Sequence, residues 1–199
     1  MELSIIIISY NISELLQSCL KSIYKALSLD RLEDRSEVIV VDNASIDNSV
    51  QVVKENFPKV RLVCNKKNLG FATANNQGIR KASGEYILLL NSDTKVVSDA
   101  LIKLLETVKK ERNVGVVGGK LLNADGSIQP SVGFFPNLTR VFLWMTFLDD
   151  IPFFTYFLKP YHVEGKKFYE RPQQVDWVSG ACMLIKQEVI RRSGLFGSV

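Results

Sequence analysis

The chain has 199 residues, 46% apolar and 23% charged, with Lys+Arg 25 against Asp+Glu 21 and a formal net charge of +4. This ordinary globular composition excludes disorder, collagen-like repeats and low-complexity tracts. The mild positive balance admits an anionic ligand or a membrane surface and falls short of a nucleic-acid footprint. A chain this long buries roughly 70% of its unfolded surface, enough for one substantial core. Cys19, Cys64 and Cys182 are odd in number and lack C-x-x-C spacing, which argues against a disulfide framework or zinc site and for a reducing compartment. Met1-Glu2 leads straight into Ile5 to Ile8, with no basic n-region and too short an apolar run for a signal peptide or span. The cytoplasm is the expected compartment, and Asn137-Leu138-Thr139 is read as a chance glycosylation acceptor.

In chain order, Leu3 to Ser9 is a continuous apolar strand, followed by Asn11 and Ser13 as candidate N-caps. Leu15, Leu16, Cys19, Leu20, Ile23 and Leu27 recur at helical spacing on one face. Glu37 to Val41 predicts the next strand, with Ser45 capping a helix that begins near Asp47. Arg61 to Cys64 is a third strand, Ala72 to Ala82 a helix ended by Gly84, and Tyr86 to Leu90 a fourth, buried strand. Ser98 caps a helix through Lys110, Asp99 beside it is read as a dipole partner, and Val114 to Val117 closes the series as a fifth strand. This alternation predicts an α/β domain with a mostly parallel sheet.

After Gly118-Gly119 the texture changes. Asn123-Ala124-Asp125-Gly126 is a hairpin signal between Lys120–Leu122 and Ser127–Gln129. Phe134 to Tyr161 is aromatic-rich, but Arg140, Asp149-Asp150 and Pro152 interrupt it, so it is not one spanning helix. Val175 to Ile185 is a further strand region, and Gln187 to Arg192 starts a helix. The expected division is an α/β half, 1–119, and a second half, 120–199.

In open parallel sheets, ligands bind beyond the carboxyl ends of the strands. Ser9-Tyr10-Asn11, Asp42-Asn43-Ala44-Ser45 and Asn91-Ser92-Asp93-Thr94 each follow a strand directly, so all three polar clusters converge on one sheet edge. The same residue types also favour ordinary turns. No G-x-G-x-x-G follows the first strand, and Gly115 to Lys120 lacks the P-loop spacing. A diphosphate here therefore calls for a metal, and Asp93 is the best-placed carboxylate for Mg²⁺ or Mn²⁺, which take one or two carboxylates plus phosphate oxygens.

The segments Ser4 to Asn11, Val40 to Asp47, Asn68 to Ile79 and Gly84 to Thr94 resemble family 2 glycosyltransferases, and Leu122 to Ser127 with Val175 to Met183 resemble their rhamnosyltransferase-like branch. The resemblance runs from Leu3 to about Phe196. It implies a GT-A (Rossmann-like) fold with helices on both faces of the sheet, and an inverting transfer of a sugar from a nucleoside-diphosphate donor. Tyr10 would lie against the base with Ser9 nearby, and Asp42 would accept from the ring N–H of uracil or thymine. Asp47 and Asn75 are weaker donor-pocket candidates. Asn91-Ser92-Asp93 stands at the family's D-x-D metal motif, with neutral Asn91 leaving the metal contact to Asp93. Trp177, Gly180 and Ala181 would line the space shared by donor sugar and acceptor, which makes 1–119 the nucleotide-sugar-binding half and 120–199 an acceptor-side half, incomplete at its C-terminal end.

Plainer readings stand beside these. Asn75 cross-links backbone, Trp177 packs in a core, Asp47 starts a helix, and His162 is a surface residue. The resemblance also implies a carboxylate base soon after the helix at Gln187, so the base is expected beyond Val199 and the chain is read as truncated. Exposed Val189, Ile190, Leu195 and Phe196 then predict a frayed C-terminus or self-association. The aromatic segment, with Lys159, Lys166, Lys167 and Arg171, is read as acceptor-side packing or as an element resting on a membrane surface. The expected activity is transfer of a sugar such as rhamnose from a dTDP- or UDP-sugar to a glycan or polyprenyl-linked acceptor in polysaccharide synthesis. The alternatives are an inactive donor-binding fragment, or a nucleotidyltransferase, which the absence of a Gly-rich basic loop after the first strand disfavours.

Overall fold

Leu3–Ser9 forms β1, paired in parallel on both sides, to β2 (Ser36–Asp42) and to β4 (Tyr86–Asn91). A strand buried on both faces reads as a continuous apolar run, which is why Ile5 to Ile8 shows no alternation in sequence. The side chains nevertheless alternate. Leu3, Ile5 and Ile7 join one core with Leu16, Leu20 and Ile23, while Ile6 joins a second with Ala74 and Ile79.

The structure is a computed structural model and describes residues 1–111, 113–135, 137–146, 163 and 166–197. Its remaining principal elements are α1 (Ser13–Leu29), α2 (Ser49–Asn56), β3 (Arg61–Cys64), α3 (Phe71–Lys81), α4 (Ala100–Lys110), β5 (Val116–Gly118), β6 (Leu121–Leu122), β7 (Ile128–Gln129), β8 (Val132–Gly133), α5 (Leu138–Met145), β9 (Trp177–Val178), β10 (Cys182–Lys186) and α6 (Gln187–Ser193). The main sheet runs β3-β2-β1-β4-β10-β5. Residues of α1 and α4 pack on one face, and residues of α3 and α6 on the other. The strand at Val116–Gly118 does not follow β4 in the sheet. β10 inserts between them, antiparallel to β4, with Leu184 opposite Leu88.

Gly78 lets α3 lie close to β1, because a Cβ there would sit 2.4 Å from Ile6 Cγ2. α4 begins after Ser98, with Asp99 at its cap position at φ 63° and no side-chain cap hydrogen bond. Asp99 instead pairs with Lys103 at 3.3 Å, one turn on. The cap expected at Ser98 is therefore not formed.

The chain divides into two compact units, Met1–Val117 with Gly180–Val199, and Gly118–Ser179. An acceptor-side half running from 120 to 199 differs from this at Gly180, where the chain returns to the first unit because β10 is a strand of its sheet. The second unit contains the hairpin β6–β7, closed by the Asn123 amide on the Ser127 carbonyl (2.8 Å), and the pair β8–β9. Val132, Phe134 and Val163 form its own core, with Phe168, Tyr169, Val175 and Val178 against it. Phe147, Phe153, Phe154, Tyr156, Phe157, Lys159, Tyr161 and His162 lie outside the described residues. Among the described residues no helix is long and apolar enough to cross a membrane.

Candidate active site

Strand register gathers the three polar clusters. Ser9 stands opposite Asp42, Ile8 opposite Asn91, and Asp42 opposite Cys64. The ladder continues past the strand ends. The Asn43 amide donates to the Ser9 carbonyl (2.8 Å), Asn65 to Asp42 (2.8 Å), and Asn91 to Ala181 (3.0 Å). Gly180-Ala181 thus meets the same edge, and the ring of Phe71, at the start of α3, lies 3.6 Å from where a Gly180 Cβ would be.

Asp42 is 2% exposed. Its Oδ2 accepts from the Ser45 amide at 3.0 Å, whereas its Oδ1 and the neighbouring Ser9 Oγ have no hydrogen-bond partner among the described residues. An unsatisfied buried polar group costs about 1–3 kcal/mol, more when charged. Two such groups on paired strand ends call for an explanation that the rest of the fold does not supply. Tyr10, the next residue after β1, is half exposed beside them.

Asp47 is differently engaged. Its Oδ2 accepts from the Ser13 amide (2.9 Å) and its Oδ1 from the Ser49 amide (3.0 Å), so one carboxylate holds the first turns of both α1 and α2. Ser45 does not cap α2; its Oγ accepts from the Asn11 amide at 3.0 Å. The side chain of Asn11 does not cap α1, because its Oδ1 accepts from the Ile46 amide at 2.8 Å. Desolvation raises the Asp47 carboxyl, and hydrogen bonds from Ser49 and Ser13 outweigh it and hold it below the ordinary aspartate value. Asn75 is buried and donates to the Phe71 carbonyl one turn back in α3 (2.9 Å), the cross-linking role of the plainer reading.

Asn91 opens a turn in which Thr94 returns both its amide (3.2 Å) and its hydroxyl (2.6 Å) to the Asn91 carbonyl. Cys19 lies beneath, with Sγ 3.7 Å from the same carbonyl, and burial pushes its thiol up to about 11. Asp93, on the turn, is exposed and makes no hydrogen bond or ion pair among the described residues. Those residues contain no group of three or more His, Cys, Asp or Glu able to hold a metal by themselves. One free carboxylate beside a neutral Asn suits a hard cation that completes its shell with phosphate oxygens and water. Trp177 and Val178 pair with Gly133 and Val132 in the second unit.

Sequence reasoning missed a polar hub at this edge. Asn43 is 3% exposed; its Nδ2 donates to Asn68 Oδ1 (2.7 Å), and its Oδ1 accepts from Asn65 Nδ2 (3.1 Å) and the Leu69 amide (3.0 Å). Asn65 and Gln77 exchange two further bonds, at 2.8 and 2.9 Å. The hub fixes the loop entering α3. Its only signal is an Asn directly after each of two strand ends, a pattern shared with ordinary turns.

This mostly parallel sheet, with antiparallel β10 inserted beside β4, is a GT-A glycosyltransferase fold. Residues 4–192 match the profile of glycosyl transferase family 2, and the chain belongs to that family. It is 28% identical over 173 residues to an N-acetylglucosaminyl-diphospho-decaprenol L-rhamnosyltransferase of Mycobacterium tuberculosis, covering 80% of this chain and 54% of the relative. A Pyrobaculum calidifontis mannosyltransferase in complex with GDP-Man and Mn²⁺ superposes with TM-score 0.65 and 23% identity, over 98% of this chain and 47% of that one. TarS 1-349 of S. aureus with UDP-GlcNAc gives 0.64 and 20%, over 97% and 47%. The chain spans about half the length of the curated relative it matches.

Proposed function

We propose that the chain binds a dTDP- or UDP-sugar and serves its inverting transfer, with rhamnose the leading sugar, to a glycan or polyprenyl-linked acceptor in cell-surface polysaccharide synthesis. The observation that carries the reading is the pair of buried polar atoms with no hydrogen-bond partner among the described residues, Asp42 Oδ1 and Ser9 Oγ, at the carboxyl ends of β2 and β1. Because the Ser45 amide occupies Asp42 Oδ2, one carboxylate oxygen is left to accept, which suits the single ring N–H of uracil or thymine better than the paired N–H groups of guanine. The half-exposed Tyr10 ring covers a base face. Asp93, with Asn91 beside it, would hold Mn²⁺ or Mg²⁺, which when bound neutralises charge on the diphosphate leaving group. Gly180 and Ala181 border the donor sugar, and Trp177 stays an acceptor-side candidate. The name of the mycobacterial relative includes a decaprenol-linked sugar, which supports a lipid-linked acceptor met at the cytoplasmic membrane face.

A thermal-shift titration with dTDP, UDP and GDP, each with Mn²⁺, Mg²⁺ or chelator, tests the donor site. A ligand at ~100 times its Kd stabilises the fold by about 2.7 kcal/mol. The expected result is a metal-dependent shift for dTDP or UDP, smaller for GDP, that is lost in Asp42→Ala and loses its metal dependence in Asp93→Ala. No shift with any nucleotide overturns the reading. Binding without transfer to a polyprenyl-diphosphate acceptor would favour a donor-binding module that does not turn over.

A further inference from the structure

The loops after β1 and β2 are stitched together by more than strand register requires. The Asn11 amide donates to Ser45 Oγ, the Ile46 amide to Asn11 Oδ1, and the Ser13 amide to Asp47 Oδ2, at 3.0, 2.8 and 2.9 Å across about 34 residues of sequence. Ser45 is the shared member, because its amide also fixes Asp42 Oδ2. Tyr10 precedes Asn11, and Asp42 lies three residues before Ser45. Asn11 (φ 55°) and Ala44 (φ 70°) both adopt left-handed backbone, which Asn tolerates and which Ala holds only where the surroundings over-determine it.

We infer that Asn11, Ser45 and Asp47 are positioning residues, a clasp that holds Tyr10 and Asp42 in one fixed relation so that a pyrimidine base meets both at once. The inference rests on the donor-site reading above. None of the three needs to touch the nucleotide. The side-chain acceptors of all three are occupied by backbone amides. Their effect is preorganisation: if loosening the clasp leaves the loops correctly set a tenth of the time, apparent affinity falls about tenfold.

The experiment measures UDP affinity of the full chain by calorimetry with Mn²⁺ present, alongside melting temperature and hydrogen exchange without nucleotide. Asn11→Gly removes the acceptor without straining the left-handed backbone, and Asn11→Asp restores an acceptor oxygen. The expected result is a Kd raised about tenfold in Asn11→Gly and within about twofold of wild type in Asn11→Asp, with faster exchange at the Ile46 amide only in the glycine variant. Should Asn11→Gly melt below the assay temperature, Ser45→Ala carries the same comparison from the other loop. Unchanged affinity in Asn11→Gly or Ser45→Ala, with exchange at Ile46 or Asn11 accelerated, overturns the inference and leaves the donor site standing. Equal loss in Asn11→Gly and Asn11→Asp also overturns it. Failure of the wild-type chain to bind UDP or dTDP overturns the donor-site reading itself, and this clasp role with it.

Discussion

Asn76 and Phe196 exchange two hydrogen bonds: the Asn76 Nδ2 donates to the Phe196 carbonyl at 2.7 Å, and the Phe196 amide donates to Asn76 Oδ1 at 3.0 Å. The side-chain amide thereby pairs as a strand residue would, and it secures the turn after α6 against α3. Of the four apolar residues behind the expectation of fraying or self-association, Val189, Ile190 and Leu195 pack partly buried on the core of the α3 face, and Phe196 is exposed. Asn76→Ala is expected to lower stability by about 1–2 kcal/mol and to speed exchange of the Phe196 amide. Asn76→Asp, which sets a carboxylate oxygen against the Phe196 carbonyl in a buried site, should cost at least as much. Denaturant unfolding with site-resolved hydrogen exchange checks both, and unchanged exchange at Phe196 would sink the idea.

Glycine within a helix ordinarily costs about 1 kcal/mol relative to alanine. At Gly78 the sign reverses, because the added Cβ would meet Ile6 Cγ2 at 2.4 Å in a fully buried strand. Gly78→Ala should destabilise by about 1–3 kcal/mol, the usual range for overpacking. Pairing it with Ile6→Leu, which removes that γ-methyl, should give less loss than the two single changes summed. Calorimetric melting of the four proteins tests it.

At the opposite end of the sheet, Glu37 Oε1 accepts from Ser4 Oγ, the Ser83 amide and Ser83 Oγ, each at 2.7 Å. Burial raises this carboxyl, and those hydrogen bonds together with the Arg61 charge outweigh it, so it titrates below the ordinary 4.5. A carboxyl depressed on folding contributes stability that is complete above its unfolded pKa and is lost as pH falls through its folded pKa. The stability gap between wild type and Glu37→Gln should therefore be constant near neutral pH and close on acidification below the unfolded value. A gap that widens toward acid would contradict the arrangement.

The thiols should differ in reactivity. Burial raises both thiols, but Cys64 is exposed opposite Asp42, while Cys19 is buried and pushed up to about 11. Thiolate is the reactive form, so alkylation of the native chain should label Cys64 well before Cys19. If the nucleobase sits at Asp42, UDP with Mn²⁺ should slow labelling at Cys64 and leave Cys182 less affected, which mass spectrometry resolves.

Much of the first unit is legible in the chain because its strands are short uninterrupted apolar runs. β1 and β3 carry the bounds that Leu3–Ser9 and Arg61–Cys64 suggest. Helix starts were less legible for a physical reason. Local reading seeks a cap within a few residues, whereas the Ser13 amide is held by Asp47 from another loop. Likewise, the polar hub at Asn43 is assembled from three separate segments, and no single window contains it. Asp42 was legible as the first residue of a polar cluster directly after a strand, in a segment that resembles family 2 glycosyltransferases. That its Oδ1 is left open and its Oδ2 is not follows only from the Ser45 geometry.

The antiparallel β10 carries a consequence for the order in which the protein assembles. β4 has β1 on one side from early in synthesis, but its other side waits for Cys182–Lys186, about ninety residues later. Pairings this distant in sequence slow folding, and until they form, Tyr86 to Asn91 presents an apolar open edge to any other strand nearby. The turn bearing Asp93 hangs from that edge, because the Asn91 amide finds its acceptor in Ala181. A nascent chain released before residue 182 would hold β1, β2 and their loops already formed beside an unsealed sheet, prone to recruiting a second chain in place of its own missing strand.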